Sequence, residues 1–271
     1  MNRAIFVKTT KDSLPVGLLT GIGTIGFVVL FVFAMVNMGK EVLQFIGQFP
    51  FLKNIFEMSL GISVSGDISM DVLLAVCFTH GVVLILGWSL VISTVTRVSV
   101  GEVERGTADL LLSLPVSRLS VTASTTAVWV IFAGILAICP LIGVWIGSII
   151  CTEGDEVRMV KFLPAVVNLF ALHLAVGGLC TLVSAITNRR GTAITIVVAV
   201  ALVSVTLNFV EPFISLIKQI RFIGLLHYFR PVDIVRIGAW PWKEILALSG
   251  FGIACWVVGT VIFCRKDIPV A

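Results

Sequence analysis

The chain has 271 residues, of which 58% are hydrophobic and only 13% charged, with a mean hydropathy of +1.11. A soluble domain carries roughly 25% charged residues, so this composition excludes an ordinary soluble enzyme or binding module and predicts an all-α integral membrane protein. The formal net charge of +4 gives no reason to expect a nucleic-acid partner. Six cysteines (Cys77, Cys139, Cys151, Cys180, Cys255 and Cys264) lie scattered, mostly inside apolar runs and without CxxC spacing. They read as small buried hydrophobes, with neither a metal site nor a disulfide framework indicated.

Residues 1–15 are polar and basic, with Ile5 and Phe6 on one side, and predict a short elbow helix resting on the membrane; no cleavable signal peptide is evident in them. Residues 16–36 are uncharged and long enough to cross a bilayer core, which takes about 20 residues. Gly17 and Gly21 within them allow close helix contact. A polar connection with an amphipathic middle, Phe45 to Leu60, leads to a second span at 72–96. The third apolar region, 119–150, is longer than one straight span needs and contains Pro140, which predicts a kink or break. Gly143 and Gly147 again offer small-residue packing. Spans four, five and six are expected at 162–187, 192–210 and 244–263, with a tight turn at Asn188-Arg-Arg-Gly191 and a long mixed connection from Glu211 to Lys243 that reads as amphipathic or re-entrant. The whole chain, 1–271, then forms one transmembrane unit.

Six spans put both termini, the 97–118 stretch and the Asn188–Gly191 turn on one side. The 19 Lys and Arg divide almost evenly between the two sides, so their count does not decide orientation. On the terminus-bearing side, however, they sit tightly at span ends, which assigns that side to the cytoplasm by the positive-inside rule.

The 97–118 stretch is the most charged and patterned run in the sequence. Gly101 to Leu114 reads as a helix. Val103, Leu110 and Leu114, with Leu111 beside them, share one face, and Glu102, Arg105 and Asp109 share another. Pro115 stops it and Ser117 is placed to cap the next helix. Such a helix lies flat at the membrane interface, as a loop anchor or as a contact surface.

Several chemistries find no residues to carry them. No span interior holds Asp, Glu, Lys or Arg, and a proton- or ion-coupled carrier keeps such groups despite a cost of roughly 2.5–3.5 kcal/mol each. His80 and His173 lie within spans without carboxylates at helical spacing and read as neutral, hydrogen-bonded histidines. There is no GxSxG, HExxH or GxxxxGK[ST] motif, so the chain is expected to be no enzyme and to bind no cofactor itself.

The run Gly101-Glu-Val-Glu-Arg-Gly-Thr-Ala-Asp-Leu-Leu-Leu-Ser-Leu-Pro-Val-Ser-Arg118 resembles the signature of ABC-2 type ABC transporter permeases, in which G-E-x-E-x-G-T, L-L and P-V-S-R elements follow the second span. Further matches occur in the same order along the chain. Phe6-Val-Lys-Thr-Thr-Lys-Asp12 is similar to the family's basic N-terminal elbow, Thr187-Asn-Arg-Arg-Gly191 to its turn between spans four and five, and Phe263-Cys-Arg-Lys-Asp-Ile268 to its C-terminal end. The region before the last span departs from the family's Ser-Pro-Phe type motif, with His227-Tyr-Phe-Arg-Pro231 in its place. That difference leaves the outer face and the substrate unassigned.

The resemblance implies a six-helix permease of the cell membrane that pairs with a second permease subunit and two cytoplasmic ABC ATPase subunits. ATP and magnesium would be bound by those ATPases, and transport would be export. Gly101–Leu114 would be the coupling helix, with Glu102, Glu104, Arg105, Gly106, Thr107 and Asp109 as its ATPase-coupling residues. An alternative within the same architecture is a non-transporting anchor that relays ATPase state to an extracytoplasmic partner.

Overall fold

The computed structural model describes residues 2–49, 69–104, 117–151, 157–211, 214 and 217–266. The described residues form helices α1 (Arg3–Gln48), α2 (Met70–Thr79), α3 (Gly81–Ser99), α4 (Arg118–Cys151), α5 (Leu163–Ile186), α6 (Arg190–Val210), α7 (Pro231–Ile237) and α8 (Trp242–Arg265), with no strand among them. Six helices, α1, α3, α4, α5, α6 and α8, are long and apolar enough to cross a membrane. The expected six-span, all-helical architecture is therefore present, with boundaries that differ for the first two spans and no break in the third.

First, no separate elbow precedes span one. Helix α1 begins at Arg3 and runs unbroken for 46 residues through Pro15. Asn2 caps it, its Oδ1 accepting the Ala4 N–H at 2.9 Å and the Ile5 N–H at 3.3 Å. Pro15 has no N–H for the carbonyl four residues earlier, yet a helix tolerates this where neighbours satisfy the loosened backbone. Here the guanidinium of Arg97 reaches the adjacent Asp12 carbonyl at 2.6 Å. The helix also continues past residue 36 to Gln48, because no proline intervenes between Pro15 and Pro50.

Second, span two is broken. The backbone at His80 is extended (φ −65°, ψ 133°), ending α2 and starting α3. The His80 ring makes the break tolerable: its Nδ1 accepts the Val82 N–H at 3.3 Å, and the ring packs on Phe27 with centroids 4.6 Å apart. Third, Pro140 does not interrupt span three, since α4 is continuous from Arg118 to Cys151. Ser117 caps α4 as expected, its Oγ accepting the Ser120 N–H at 3.2 Å.

Helix α5 is the centre of the bundle. Its apolar window is 72% buried, against 22% for α6 and for α8, as suits a helix that is hydrophobic on every face. Without water to expel, helices in a bilayer associate through close packing, and small residues permit it. A Cβ on Gly178 of α5 would fall on the Gly252 carbonyl of α8, and one on Gly259 would lie 2.7 Å from the Leu182 Cα. On the other side of the bundle, Gly143 and Gly147 of α4 receive Val28 and Val32 of α1, each of which is fully buried. His173 of α5 is buried as expected, its Nδ1 3.3 Å from the Ala133 carbonyl, and Gly87 of α3 leaves room for the ring.

The connection after α6 folds back, matching its re-entrant pattern. Leu225, Leu226 and Phe229 are buried, the Leu225 N–H donates to Ser204 of α6 at 3.2 Å, and Asn168 of α5 donates to the Tyr228 carbonyl at 3.2 Å. Helix α7 starts at Pro231, packs on α2 and α5, and ends at Gly238, whose left-handed backbone (φ 70°) brings its N–H to the Ile234 carbonyl.

Gly252→Ala is expected to destabilise the bundle by about 3 kcal/mol, at the upper end of overpacking costs, because its Cβ would sit 2.5 Å from the Leu174 carbonyl. Gly250→Ala, which meets nothing within 4 Å, is expected to change stability by less than about 1 kcal/mol. Denaturant unfolding of the two variants in one detergent checks the difference.

Candidate functional site

Helix α1 starts, α3 ends, α4 starts, α5 ends, α6 starts and α8 ends at the same end of the bundle, the end that carries both termini. Each helix C-terminus leaves carbonyls without intrahelical donors and each N-terminus leaves N–H groups without acceptors. In a low-dielectric surround these groups need partners. At this end long side chains from neighbouring helices supply them and form a collar.

Arg118, the first residue of α4, donates from Nη1 to the Lys266 and Phe263 carbonyls at the end of α8. Lys266 passes the chain of contacts on, its Nζ donating to the Ala185 carbonyl at 3.0 Å and the Thr187 carbonyl at 2.9 Å, at the end of α5. A cation at a helix C-terminus also meets the negative end of the macrodipole. Burial lowers the pKa of this ammonium from its ordinary value. Arg97, in the last turn of α3, reaches the Asp12 carbonyl of α1. Ser124 of α4 accepts the Asn2 N–H at 2.9 Å and so holds the start of α1.

The remaining helix start, that of α6, is held by Glu104. Arg189 stands at the capping position but its side chain makes no cap. The Glu104 carboxylate instead accepts the Arg190 N–H at 2.9 Å, placing a negative charge at the positive end of α6. The Arg190 side chain returns to α3, with Nε 3.2 Å from Thr96 Oγ1 and Nη2 3.4 Å from Ser93 Oγ. Gly101 lies beneath that stem, its Cβ position 3.7 Å from Arg190 Cδ.

Of the residues singled out in the sequence, Glu104 is therefore placed against the start of span five. Glu102 lies on the same helical turn, Gly101–Glu104, though its side chain is outside the described residues. Arg105, Gly106, Thr107 and Asp109 lie wholly outside them. Reading the sequence missed Ser93 and Thr96, two hydroxyls in an apolar helix. It gave Arg97, Arg118, Arg190 and Lys266 no partners, although their position at span ends was the available signal.

At the opposite end, Glu211 gathers Arg221 at 2.6 Å and Arg230 at 3.5 Å, with His227 4.0 Å away. Lys161 pairs with Asp71 at 2.5 Å, and the exposed rings of Trp240 and Trp242 stack 5.2 Å apart. Burial, then the charges of Arg230 and Arg221, hold the His227 pKa below its ordinary value against the opposing pull of Glu211 and Glu244.

Between these ends, α3 and α6 separate around a cleft of about 440 Å³ walled by Leu84, Trp88 and Ile92 on one side and Val198, Ala201 and Val205 on the other. Among the described residues, none that lines it is charged. Among the described residues no group of His, Cys, Asp and Glu is placed to hold a metal ion. No family model matches the chain, and no curated protein matches it.

Lys266→Met is expected to cost about 2 kcal/mol of stability, the worth of charge-assisted hydrogen bonds to carbonyls left without another donor, measured by denaturant unfolding in detergent. For His227, replacing Arg230 by Gln removes a nearby positive charge and is expected to raise the imidazole pKa. Imidazole NMR shifts followed through a pH titration of both proteins give the comparison.

Proposed function

We propose that the chain is the membrane-spanning permease subunit of an ATP-driven ABC transporter of the ABC-2 type, an exporter whose energy comes from separate cytoplasmic ATPase subunits. The observation that carries this reading is the collar. The segments on which the sequence resemblance rests (residues 6–12, 101–118, 187–191 and 263–268) are far apart in sequence, and their Asp12, Glu104, Arg118, Thr187, Arg190, Phe263 and Lys266 meet the collar's helix ends. A stretch that receives force from a partner has to be fastened to what it moves, and both flanks of residues 105–116 are so fastened.

On this reading the terminus-bearing end faces the cytoplasm, with the positively charged collar at the inner surface of the cell membrane. The 97–118 stretch meets the ATPase, and Arg105, Gly106, Thr107 and Asp109 form the contact with Glu102. ATP and magnesium belong to the partner. The path runs beside a second permease subunit, and a bundle without charged residues in its span interiors suits a transporter whose driving force is not an ion gradient.

The test is co-purification with the ATPase encoded nearest to this chain, followed by ATP hydrolysis in lipid nanodiscs. A one-to-one complex whose hydrolysis depends on the permease is the expected outcome. Asp109→Lys is expected to weaken that association roughly ten-fold, about 1.4 kcal/mol. A chain that retains no ATPase in several mild detergents would sink the proposal. A stable complex that moves no substrate across the nanodisc-matched vesicle membrane would favour the relay alternative.

A further inference from the structure

Resting on the permease reading, we infer that Glu104 is the positioning residue that transmits movement of the ATPase-facing stretch to span five. Covalently, residues 105–116 are joined only to α3 and α4. Helix α6 follows 73 or more residues later in the chain's order, so its response needs a non-covalent link, and Glu104 makes one.

Three observations support it. The Glu104 carboxylate holds the first N–H of α6 at 2.9 Å, and the Arg190 side chain binds α3 at Thr96 and Ser93, so the contact is a two-way clasp. Second, α6 makes no close glycine contact with a neighbouring span, a Cβ on its Gly191 meeting nothing within 4 Å. Third, the cleft separates the far half of α6 from α3, with Trp88, Ala201 and Val205 among the residues lining it. A helix clasped to α3 at one end, parted from α3 along its far half and seated there on the re-entrant connection through Ser204, works as a lever between the two. Displacing Glu104 by a small amount at the pinned end re-aims the far half and changes the width of the cleft. Packed interfaces with two arrangements amplify shifts of that kind.

A helix cap can also serve local stability alone, and the experiment separates the two roles. Glu104→Gln weakens the clasp. Glu104→Gln combined with Arg189→Asp supplies α6 with a cap from its own capping position while leaving it unlinked to the 97–118 stretch. Hydrogen exchange at residues 190–194, ATPase co-purification and permease-dependent ATP hydrolysis are measured for each in lipid nanodiscs. Glu104→Gln keeps an oxygen for the Arg190 N–H but loses the charge at the positive end of α6, and is expected to speed exchange about two- to five-fold. It should leave co-purification intact and cut permease-dependent hydrolysis by roughly five-fold or more, the lower range of coupling between sites. The double variant is expected to recover slow exchange and not hydrolysis.

Recovery of hydrolysis in the double variant would reduce Glu104 to a local cap and overturn the inference. So would full hydrolysis in Glu104→Gln. Loss of co-purification in Glu104→Gln would make Glu104 a direct ATPase contact, which also overturns it. If the wild-type chain itself retains no ATPase, the permease reading fails and this inference falls with it, an outcome visible before any variant is made.

Discussion

A helix end buried in a bilayer or at its edge exposes peptide groups that water cannot reach freely, and this one requirement organises the molecule. Three helix starts and three helix ends meet on the terminus-bearing side. Four of them take a partner from elsewhere in the chain: Ser124 for the start of α1, Arg118 and Lys266 for the ends of α8 and α5, Glu104 for the start of α6; α4 is capped by its own Ser117, and α3 is tied through its Thr96 hydroxyl to Arg190. The polar residues of a greasy chain are thus concentrated where backbone chemistry demands them. The same contacts, with Arg97 on Asp12, link all six spans at this end of the bundle.

Packing divides the bundle differently from the collar. Helices α5 and α8 touch backbone to backbone through Gly178, Gly252 and Gly259, and α1 and α4 interlock through Gly143 and Gly147. Such contacts leave little slack, because a close-packed interface tolerates neither added atoms nor small slips. Helix α6 has no comparable seam and borders the cleft. The close glycine contacts thus tie α5 to α8 and α1 to α4, while α6 borders the cleft without one.

Much of this was legible from hydropathy. The six spans follow from uninterrupted apolar runs of bilayer length, and the Ser117 cap and the re-entrant pattern after Glu211 follow from local residue types. The differences have physical causes outside any local pattern. Residues 1–15, polar and basic, suggest a separate elbow, but the helix runs on through Pro15, with Arg97 of α3 on the nearby Asp12 carbonyl. His80 looks like an interior residue of one span, and its ring instead caps a break by bonding Val82 and stacking on Phe27. The collar was half legible: charges at span ends announce themselves, but their pairings link positions 79 to 148 residues apart. Glu104 shows the limit most clearly, since the sequence offers it as a surface charge and the fold gives it the start of α6.

The order in which a ribosome makes these residues gives the collar a further meaning. Asp12 waits for Arg97, and Glu104 waits for Arg190. The carbonyls of Ala185 and Thr187, at the end of α5, wait for Lys266. Arg118, made less than halfway along the chain, finds its acceptors only when Phe263 and Lys266 have been added. The contacts at this end of the bundle are therefore complete only once α8, the last of the six spans in chain order, is present.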